Sequence, residues 1–351
     1  MTTSHYKFDI TLNIIMFVTI FFGFSFLAMA ETEIPMSTVY MNTHPTVVNA
    51  WEPWFEEVLK KTEGKLQLTY YNPNTLASLA DVFDSTMSGM IGIGGMDCAR
   101  NPGKFPLYTV MELPGMAPNA ESGSLILWNL YQKHPELQKE FRDINILWQW
   151  VSAPFQLHTT KTQIKNLADL KGLKIISWNK TSVNILKALG ANAIMLPATD
   201  SYLALERGMA DGILCPLAPI VSYKISEAVK YTTTCDIFVT PFWAGVGHPV
   251  WKSLPKSVQQ VLQDTTGERM ARLSGQSLDN GDLQDTKALK EQGHVFYTLS
   301  KEERALWMEA IKSLREDWVK EMEKLGYQNA RAIMNDADNL SKQYTQAPPT
   351  N

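Results

Sequence analysis

The first third of the chain alternates between helical and strand patterns of apolar residues. From about residue 46, apolar side chains recur at i, i+3, i+4, i+7 and i+8, which predicts an amphipathic helix that stops at a glycine. Those side chains are Trp51, Trp54, Phe55, Val58 and Leu59. Strands are predicted over 36–40 and 66–71, and a helix over 79–88 precedes a glycine-rich strand over 90–94. The predicted order is therefore β-α-β-α-β.

The same order returns in the middle of the chain. Strands are predicted over 173–178, 193–196 and 212–215, and helices over 182–189 and 200–207. Each helix begins on a residue that can cap it, a serine and an aspartate, and ends before a glycine. Two such units predict an α/β fold of two lobes with mainly parallel sheets. Ligands of open α/β sheets bind beyond the carboxyl ends of the strands, so a cleft between the lobes is the expected site.

The last third of the chain has a helical pattern. Amphipathic helices are predicted over 255–273, 283–292 and 301–324, and Ser300 begins the last of them with two glutamates behind it. We expect these helices to brace both lobes and to limit the motion between them. The terminal residues QAPPTN are expected to fray.

The N-terminus is nearly unbroken apolar sequence over residues 14–30, with Lys7 before it and Ala-Met-Ala at its end. This pattern predicts a secretory signal peptide over residues 1–30 that is cleaved after about Ala30. An uncleaved membrane anchor is the alternative, because the run is just long enough to span a bilayer. We expect the mature protein to be soluble and exported.

Charge and cysteine content narrow the classes of partner and site. The formal net charge is −4 and the basic residues are spread along the chain, which argues against a nucleic-acid partner. The three cysteines, Cys98, Cys215 and Cys235, cannot all pair with one another. Small buried apolar residues are the favoured interpretation, and a Cys215–Cys235 disulfide is the alternative.

Signatures of catalysis are absent from the sequence. It contains no G-x-S-x-G, H-E-x-x-H or Walker sequence, and its six histidines lack the i, i+4 spacing of metal ligands. We therefore expect no enzyme activity, no cofactor and no metal. The ten tryptophans are more informative about a binding site, because indole faces stack on apolar ligands and bind cations. Trp178 ends a strand at the expected cleft, and Phe242 and Trp243 lie where the chain crosses back between the lobes.

Three segments of the chain carry a family resemblance. Residues 60–77, 166–217 and 250–262, which include GLKII and a later DG dipeptide, resemble the DctP-type solute-binding proteins of TRAP (tripartite ATP-independent periplasmic) transporters. The resemblance implies a periplasmic receptor with a two-lobed, type II-like periplasmic binding protein fold. Such receptors bind a small organic solute between their lobes, hand it to a membrane permease and catalyse no reaction.

The resemblance also implies a long helix that spans both lobes. On this basis we expect the first lobe to comprise 31–153 and about 242–281. The second lobe is expected to comprise 154–241 and about 282–351, and the receptor is expected to be a monomer.

The expected site differs from that of the family at the positions that bind a substrate carboxylate. Many members place an arginine directly after G-L-K-[IL] and another twenty residues earlier, where this chain has Ile176 and Gln156. In the family, an asparagine commonly ends the strand that comes after the DG dipeptide, and this chain has Cys215 there. The other residues assigned to the site are Tyr40, His44, Met96, Asp97, Trp178, Phe242 and Trp243.

The loss of both arginines limits the ligand. Leaving a buried carboxylate without its partner costs roughly 3–5 kcal/mol, which is about two to four decades of affinity. We therefore favour a neutral, aromatic or cationic solute that stacks on the tryptophans, with Asp97 available for a cation. Two alternatives stay open, namely an exported enzyme of unknown type and an organic acid held by donors such as Gln156, His44 or His158.

Overall fold

The structure, a computed structural model, describes residues 32–101 and 103–346. The described chain forms two β-sheets with helices packed on them, which is the predicted α/β architecture of two lobes. The predicted signal peptide and the residues after Gln346 lie outside the described residues. Within the described residues, no helix is long and apolar enough to cross a membrane.

The strands and helices are numbered in chain order. The strands are β1 (Thr32–Ser37), β2 (Leu66–Tyr71), β3 (Ile93–Asp97), β4 (Ile144–Val151), β5 (Gln156–Thr159), β6 (Lys174–Ser177), β7 (Asn192–Met195), β8 (Gly212–Cys215), β9 (Tyr231–Thr234), β10 (Pro241–Gly247) and β11 (Val295–Thr298). The helices of the first half are α1 (Glu52–Lys61), α2 (Val82–Ser88), α3 (Ala120–Lys133), α4 (Pro135–Glu140), α5 (Leu167–Leu170) and α6 (Lys180–Ala188). Those of the second half are α7 (Ala198–Glu206), α8 (Leu217–Ser222), α9 (His248–Ser253), α10 (Lys256–Thr265), α11 (Glu268–Glu291), α12 (Lys301–Ile311), α13 (Ser313–Lys324) and α14 (Ala330–Gln346). Short turns of helix also lie at Val47–Trp51, Cys98–Arg100, Leu107–Glu112 and Ile225–Glu227.

The sheet of the first lobe has the strand order β2-β1-β3-β10-β4. β1 pairs in parallel with β2 and β3, and β10 runs antiparallel between β3 and β4. Tryptophans from the predicted helical stripe and from β4 fill one face of this sheet, and Trp51 meets Trp150 edge to face at 5.3 Å. The stripe is therefore core, because its apolar side chains are removed from water by the sheet.

The sheet of the second lobe has the strand order β11-β9-β5-β8-β6-β7. β6 pairs in parallel with β7 and β8, and β5 runs antiparallel between β8 and β9. The carboxyl ends of β6 and β8 lie at one edge of this sheet, because neighbouring parallel strands end at the same side.

Both β-α-β-α-β units are confirmed, with shifted ends in the first. The strand expected at 36–40 is β1 at Thr32–Ser37, so Tyr40 lies in the loop that follows it. The strand expected at 90–94 is β3 at Ile93–Asp97. Gly89 ends α2 with a φ of 85°, a left-handed conformation that glycine adopts without strain, and the chain turns before it extends.

The helices of the second unit begin on other residues than expected. Asn179 caps α6, because its side-chain oxygen accepts the N–H of Ser182 at 2.8 Å, so Ser182 is not the cap. α7 begins after Pro197, which places Asp200 in its first turn and not at its cap. Ser300 caps α12 as expected by accepting the N–H of Glu303.

The C-terminal helices are divided differently from the predicted ones. Gly267, with a φ of 65°, separates α10 from α11, so the helix expected over 255–273 is two helices. α11 has 24 residues, about 36 Å at 1.5 Å per residue. It packs on α3 and β4 of the first lobe and on α8 of the second, and it is therefore the predicted lobe-spanning helix.

The packing of the last two helices differs from the expected division at residue 282. Trp318 of α13 and Ile333 of α14 belong to the core of the first lobe, whereas Trp307 of α12 packs in the second. The chain therefore returns to the first lobe after α12. The lobes are also joined by two antiparallel crossing segments, and the N–H of Phe155 in one donates to the carbonyl of Phe238 in the other at 2.9 Å.

Candidate ligand-binding site

The lobes touch across the cleft between them. The hydroxyl of Thr181, in the first turn of α6, donates to the Glu112 carboxylate of the first lobe. One residue earlier, the Lys180 ammonium meets Glu321 of α13 at 3.0 Å, a pair of exposed side chains. α6 follows the carboxyl end of β6, so this contact lies at the cleft edge of the second sheet.

Tyr40 and His44 form an aromatic wall on the first lobe. Their rings stack at 4.0 Å between centroids, and the Tyr40 hydroxyl accepts the indole N–H of Trp150 at 3.2 Å. Phe242 stacks on Trp150 at 5.3 Å and lies 6.1 Å from the Tyr40 ring, so the three rings pack together. Burial lowers the pKa of His44 to about 4, so its imidazole is neutral at pH 7 and offers no cationic donor.

Met96 and Trp243 lie in the core of the first lobe. They are paired across β3 and β10, and both are fully buried. The Trp243 ring meets Phe83 edge to face at 5.5 Å, away from the aromatic wall. Phe242 faces that wall because alternate residues of a strand point to opposite sides. The stacking role expected for Trp243 therefore finds no support in this packing.

Asp97 ends β3 and holds Arg100. The Arg100 Nε donates to the Asp97 carboxylate at 2.8 Å. Burial raises the pKa of Asp97 and the guanidinium lowers it, so the pair brings a nearly balanced charge to the first lobe.

Gln156 is engaged by its own lobe. Its side-chain oxygen accepts the main-chain N–H of Cys235 at 2.8 Å and that of Asp236 at 3.1 Å. Its nitrogen donates to the Asp236 carboxylate at 2.6 Å. The amide thus anchors the loop after β9, and its role as a clamp for an organic acid is not favoured.

Ile176 and Cys215 are fully buried in an apolar cluster beneath α7 and α8. Trp178 joins this cluster at its edge and stays partly exposed. Its indole N–H donates to Ser201 at 3.0 Å, and its ring meets Tyr223 edge to face at 6.3 Å. Of the three, Trp178 is the one with surface to offer a ligand.

The cysteines and His158 are structural. All three cysteines are buried and unpaired, so the Cys215–Cys235 disulfide is not formed. His158 is fully buried between the Thr232 hydroxyl at 2.9 Å and the Cys215 carbonyl at 3.1 Å. Burial lowers the pKa of His158 to about 3, and with both ring nitrogens occupied it is no donor for a ligand.

Two carboxyl groups, each with a buried oxygen, were missed at the sequence level. Glu112 is 3% exposed, and its Oε1 has no hydrogen-bond partner among the residues that the structure describes. Asp282 of α11 has one such oxygen too, and burial together with the Asp282 charge raises the pKa of the Cys215 thiol. The signal for Glu112 was its place in the run VMELPGM, where a lone carboxyl interrupts apolar residues.

The chain matches a family model over most of its length. Residues 36–322 match the family described as bacterial extracellular solute-binding protein, family 7. The uncharacterized protein y4mM of Sinorhizobium fredii is 27% identical over 282 residues, which are 79% of this chain and 47% of that protein. The chain thus spans about half the length of that relative.

Solved structures share the fold. A TRAP periplasmic solute binding protein from Desulfovibrio salexigens is 28% identical with a TM-score of 0.82, and the match covers 91% of this chain and 99% of that one. A TRAP periplasmic solute binding protein from Bordetella bronchiseptica, with bound (R)-mandelate and (S)-mandelate, is 25% identical with a TM-score of 0.79. That match covers 89% of this chain and 99% of that one. This chain therefore belongs to family 7 of the bacterial extracellular solute-binding proteins, the DctP family of TRAP-transporter receptors, and is a solute-binding protein and not an enzyme.

Proposed function

We propose that the protein is a periplasmic receptor that closes over a small organic solute and delivers it to a TRAP permease. The contact of Glu112 with Thr181 carries the proposal, because it joins the two lobes at the cleft between them. The crossing segments at Phe155 and Phe238 supply the hinge for such closure.

We further propose a lobe division that follows the packing. The first lobe comprises the described residues of 32–153, about 242–281 and α13 through Gln346, and the second comprises 154–241 and the chain from about 282 through α12. α11 bridges the two. A monomer is sufficient for this function, because the cleft is built within one chain.

The solute is proposed to be neutral, aromatic or cationic. Ile176 is buried among apolar side chains, and Gln156 is hydrogen-bonded to the loop after β9, so neither replaces the family's arginines. His44 is neutral, and both ring nitrogens of His158 are occupied within the core. The alternative ligand, an organic acid, would therefore lack the donors expected for it. Trp178 and the wall of Tyr40 and His44 offer aromatic faces instead.

Native mass spectrometry of protein purified without denaturation tests the receptor function, since a tightly held solute survives purification. A screen of amines, aromatics and organic acids by thermal shift and calorimetry then identifies the class of solute. A bound ligand is expected to stabilise the fold by about 2.7 kcal/mol at a hundredfold excess over its Kd. Absence of a retained solute together with no stabilisation by any class would contradict the proposal.

A further inference from the structure

Glu112 holds a buried oxygen that nothing in its own chain satisfies. It ends the short turn Leu107–Glu112, and its Oε2 accepts the hydroxyl of Thr181 from the other lobe. Its Oε1 has no partner within the described part of the chain, although the side chain is 97% buried. A buried carboxylate without a cation or donor is strongly unfavourable, so this oxygen calls for a proton or a donor from a bound molecule.

The charges around Glu112 leave it uncompensated. Asp97 lies close enough to raise the pKa of Glu112, and the nearby cation, Arg100, is already paired with Asp97. Burial is the larger cause and raises the pKa of Glu112 to about 7, while the Thr181 hydroxyl lowers it. Lys180 is beside Thr181 but exposed and paired with Glu321.

The other elements packed on this turn bring no free cation to it among the described residues. From α4, one carboxylate oxygen of Glu140 accepts the N–H of Leu107 at 2.8 Å. Its charge adds to burial in raising the pKa of the Cys98 thiol. From α14, Asp338 is paired with Arg315. Asp97 and Arg100 cancel each other, and Glu112 and Glu140 are the carboxyl groups without a cationic partner here among the described residues.

The position of Glu112 is that of a ligand anchor. Asp97 ends β3, and Thr181 follows the end of β6 by a few residues, so Glu112 lies between the carboxyl ends of strands from both lobes. Trp178, the partly exposed indole of the second lobe, precedes Thr181 by three residues. A buried carboxylate without a cation at the junction of the two lobes suits an organic cation.

We propose that Glu112 binds a protonated primary or secondary amine of the solute, whose N–H donates to Oε1 while Thr181 holds Oε2. This inference rests on the proposed receptor function and names the charge of its solute. Binding of the ammonium and closure of the lobes then share one carboxylate, so the cation stabilises the closed arrangement.

Matched probes test the charge directly. Benzylamine, benzyl alcohol and benzoate share a ring and differ in charge, and short aliphatic amines with their corresponding alcohols and acids extend the series. Calorimetry from pH 5.5 to 8.5 is expected to show amines binding more tightly than their alcohols and acids. Because the ammonium needs ionised Glu112, its affinity should rise about tenfold per pH unit below pH 7 and level off above it.

Glu112→Gln keeps the shape and the Thr181 contact but removes the charge. We expect it to weaken amine binding about tenfold to a hundredfold, to abolish the pH dependence, and to leave alcohols unaffected. Glu323→Gln, at an exposed position on α13, is the matched control and should behave like the parent. If Glu112→Gln does not fold, the pH profile of the parent protein decides.

Three results would overturn the inference. Carboxylates could bind more tightly as the pH falls, which would show neutral Glu112 donating to an acid. No amine could bind better than its alcohol, or Glu112→Gln could leave the amine preference intact. Any of these, with a solute still bound in the cleft, removes the amine anchor and leaves the receptor function standing.

Discussion

Asp279 and Asp282 lie one turn apart on α11, and each faces the start of a helix in a different lobe. The Asp279 carboxylate accepts the N–H groups of Ala120 and Glu121 at 2.8 and 2.9 Å, at the start of α3. Burial and the charge of Asp279 raise the pKa of Asp282 to about 8, and the Ala218 amide in the first turn of α8 lies beside Asp282 and lowers it. One turn of the long helix therefore holds both lobes.

Asp279→Ala is expected to destabilise the protein. It removes two charge-assisted hydrogen bonds from the first turn of α3, and loss of a helix cap costs about 0.5–2 kcal/mol. Urea unfolding at pH 7.5 measures the change, with Asn280→Ala on the exposed face of the same helix as the control. Equal unfolding free energies for the two variants would show that Asp279 does not tie α11 to the first lobe.

Trp178→Ala should weaken solute binding by about tenfold or more, because the ligand loses an aromatic face worth about 1.4 kcal/mol or more. Calorimetry with the solute retained on purification checks this. Trp251→Ala, at a partly exposed tryptophan of the first lobe, is the control. Affinity as tight as that of the parent would mean that the Trp178 indole serves packing alone.

Ile176→Arg should destabilise the protein by about 3 kcal/mol or more. Ile176 is fully buried among apolar side chains such as Ile213, so an arginine there buries a charge without a partner. Thermal and urea unfolding measure the loss, and Ile176→Val, which costs about 0.5–1.5 kcal/mol, is the control. A stable variant that gains benzoate binding would show that position 176 opens to the cleft.

Glu112 and Thr181 should be coupled, and more strongly at high pH. The hydroxyl donates to a charged acceptor when Glu112 is ionised, above its pKa of about 7, and to a neutral one below it. A double-mutant cycle of Glu112→Gln and Thr181→Val in urea unfolding should give a coupling energy of about 0.5–3 kcal/mol at pH 8.5. The coupling should be smaller at pH 5.5. Additive effects at both pH values would contradict closure through this contact.

Glu140→Gln should flatten the pH dependence of stability. Burial raises the pKa of Glu140 to about 8, and its Oε2 has no partner among the described residues. Since this folded-state pKa lies above the unfolded value of 4.5, the folded protein binds more protons between those values. Stability therefore falls as the pH rises from about 4.5 to 8, by up to about 1.4 kcal/mol per unit of pKa difference.

The prediction for Glu140 is tested by measuring the unfolding free energies of the variant and the parent across the pH range. The variant carries no ionisable group at position 140, so its unfolding free energy should increase relative to that of the parent from pH 5 to pH 8.5. Lys139→Gln, at an exposed neighbouring position on α4, serves as the control and should leave the slope unchanged. A parallel pH dependence in variant and parent would show that Glu140 titrates normally in the folded state.

The sequence alone determined the two β-α-β-α-β units and the helical C-terminal third, because these depend on local spacing. It also gave the family, through the resemblance of three segments. The alternation of apolar residues is carried by neighbours along the chain, and so β8 at Gly212–Cys215 was predicted to the residue. Local pattern also singled out Trp178 at the end of its strand.

The tertiary structure decided which polar groups are free for a ligand. Gln156 is satisfied by Asp236, eighty residues away, and Trp243 points to the core because of the strand's alternation. Glu112 meets Thr181 across 69 residues and the gap between two lobes. Burial and charge at such a site are sums over side chains brought together from distant parts of the chain, and no local pattern records them.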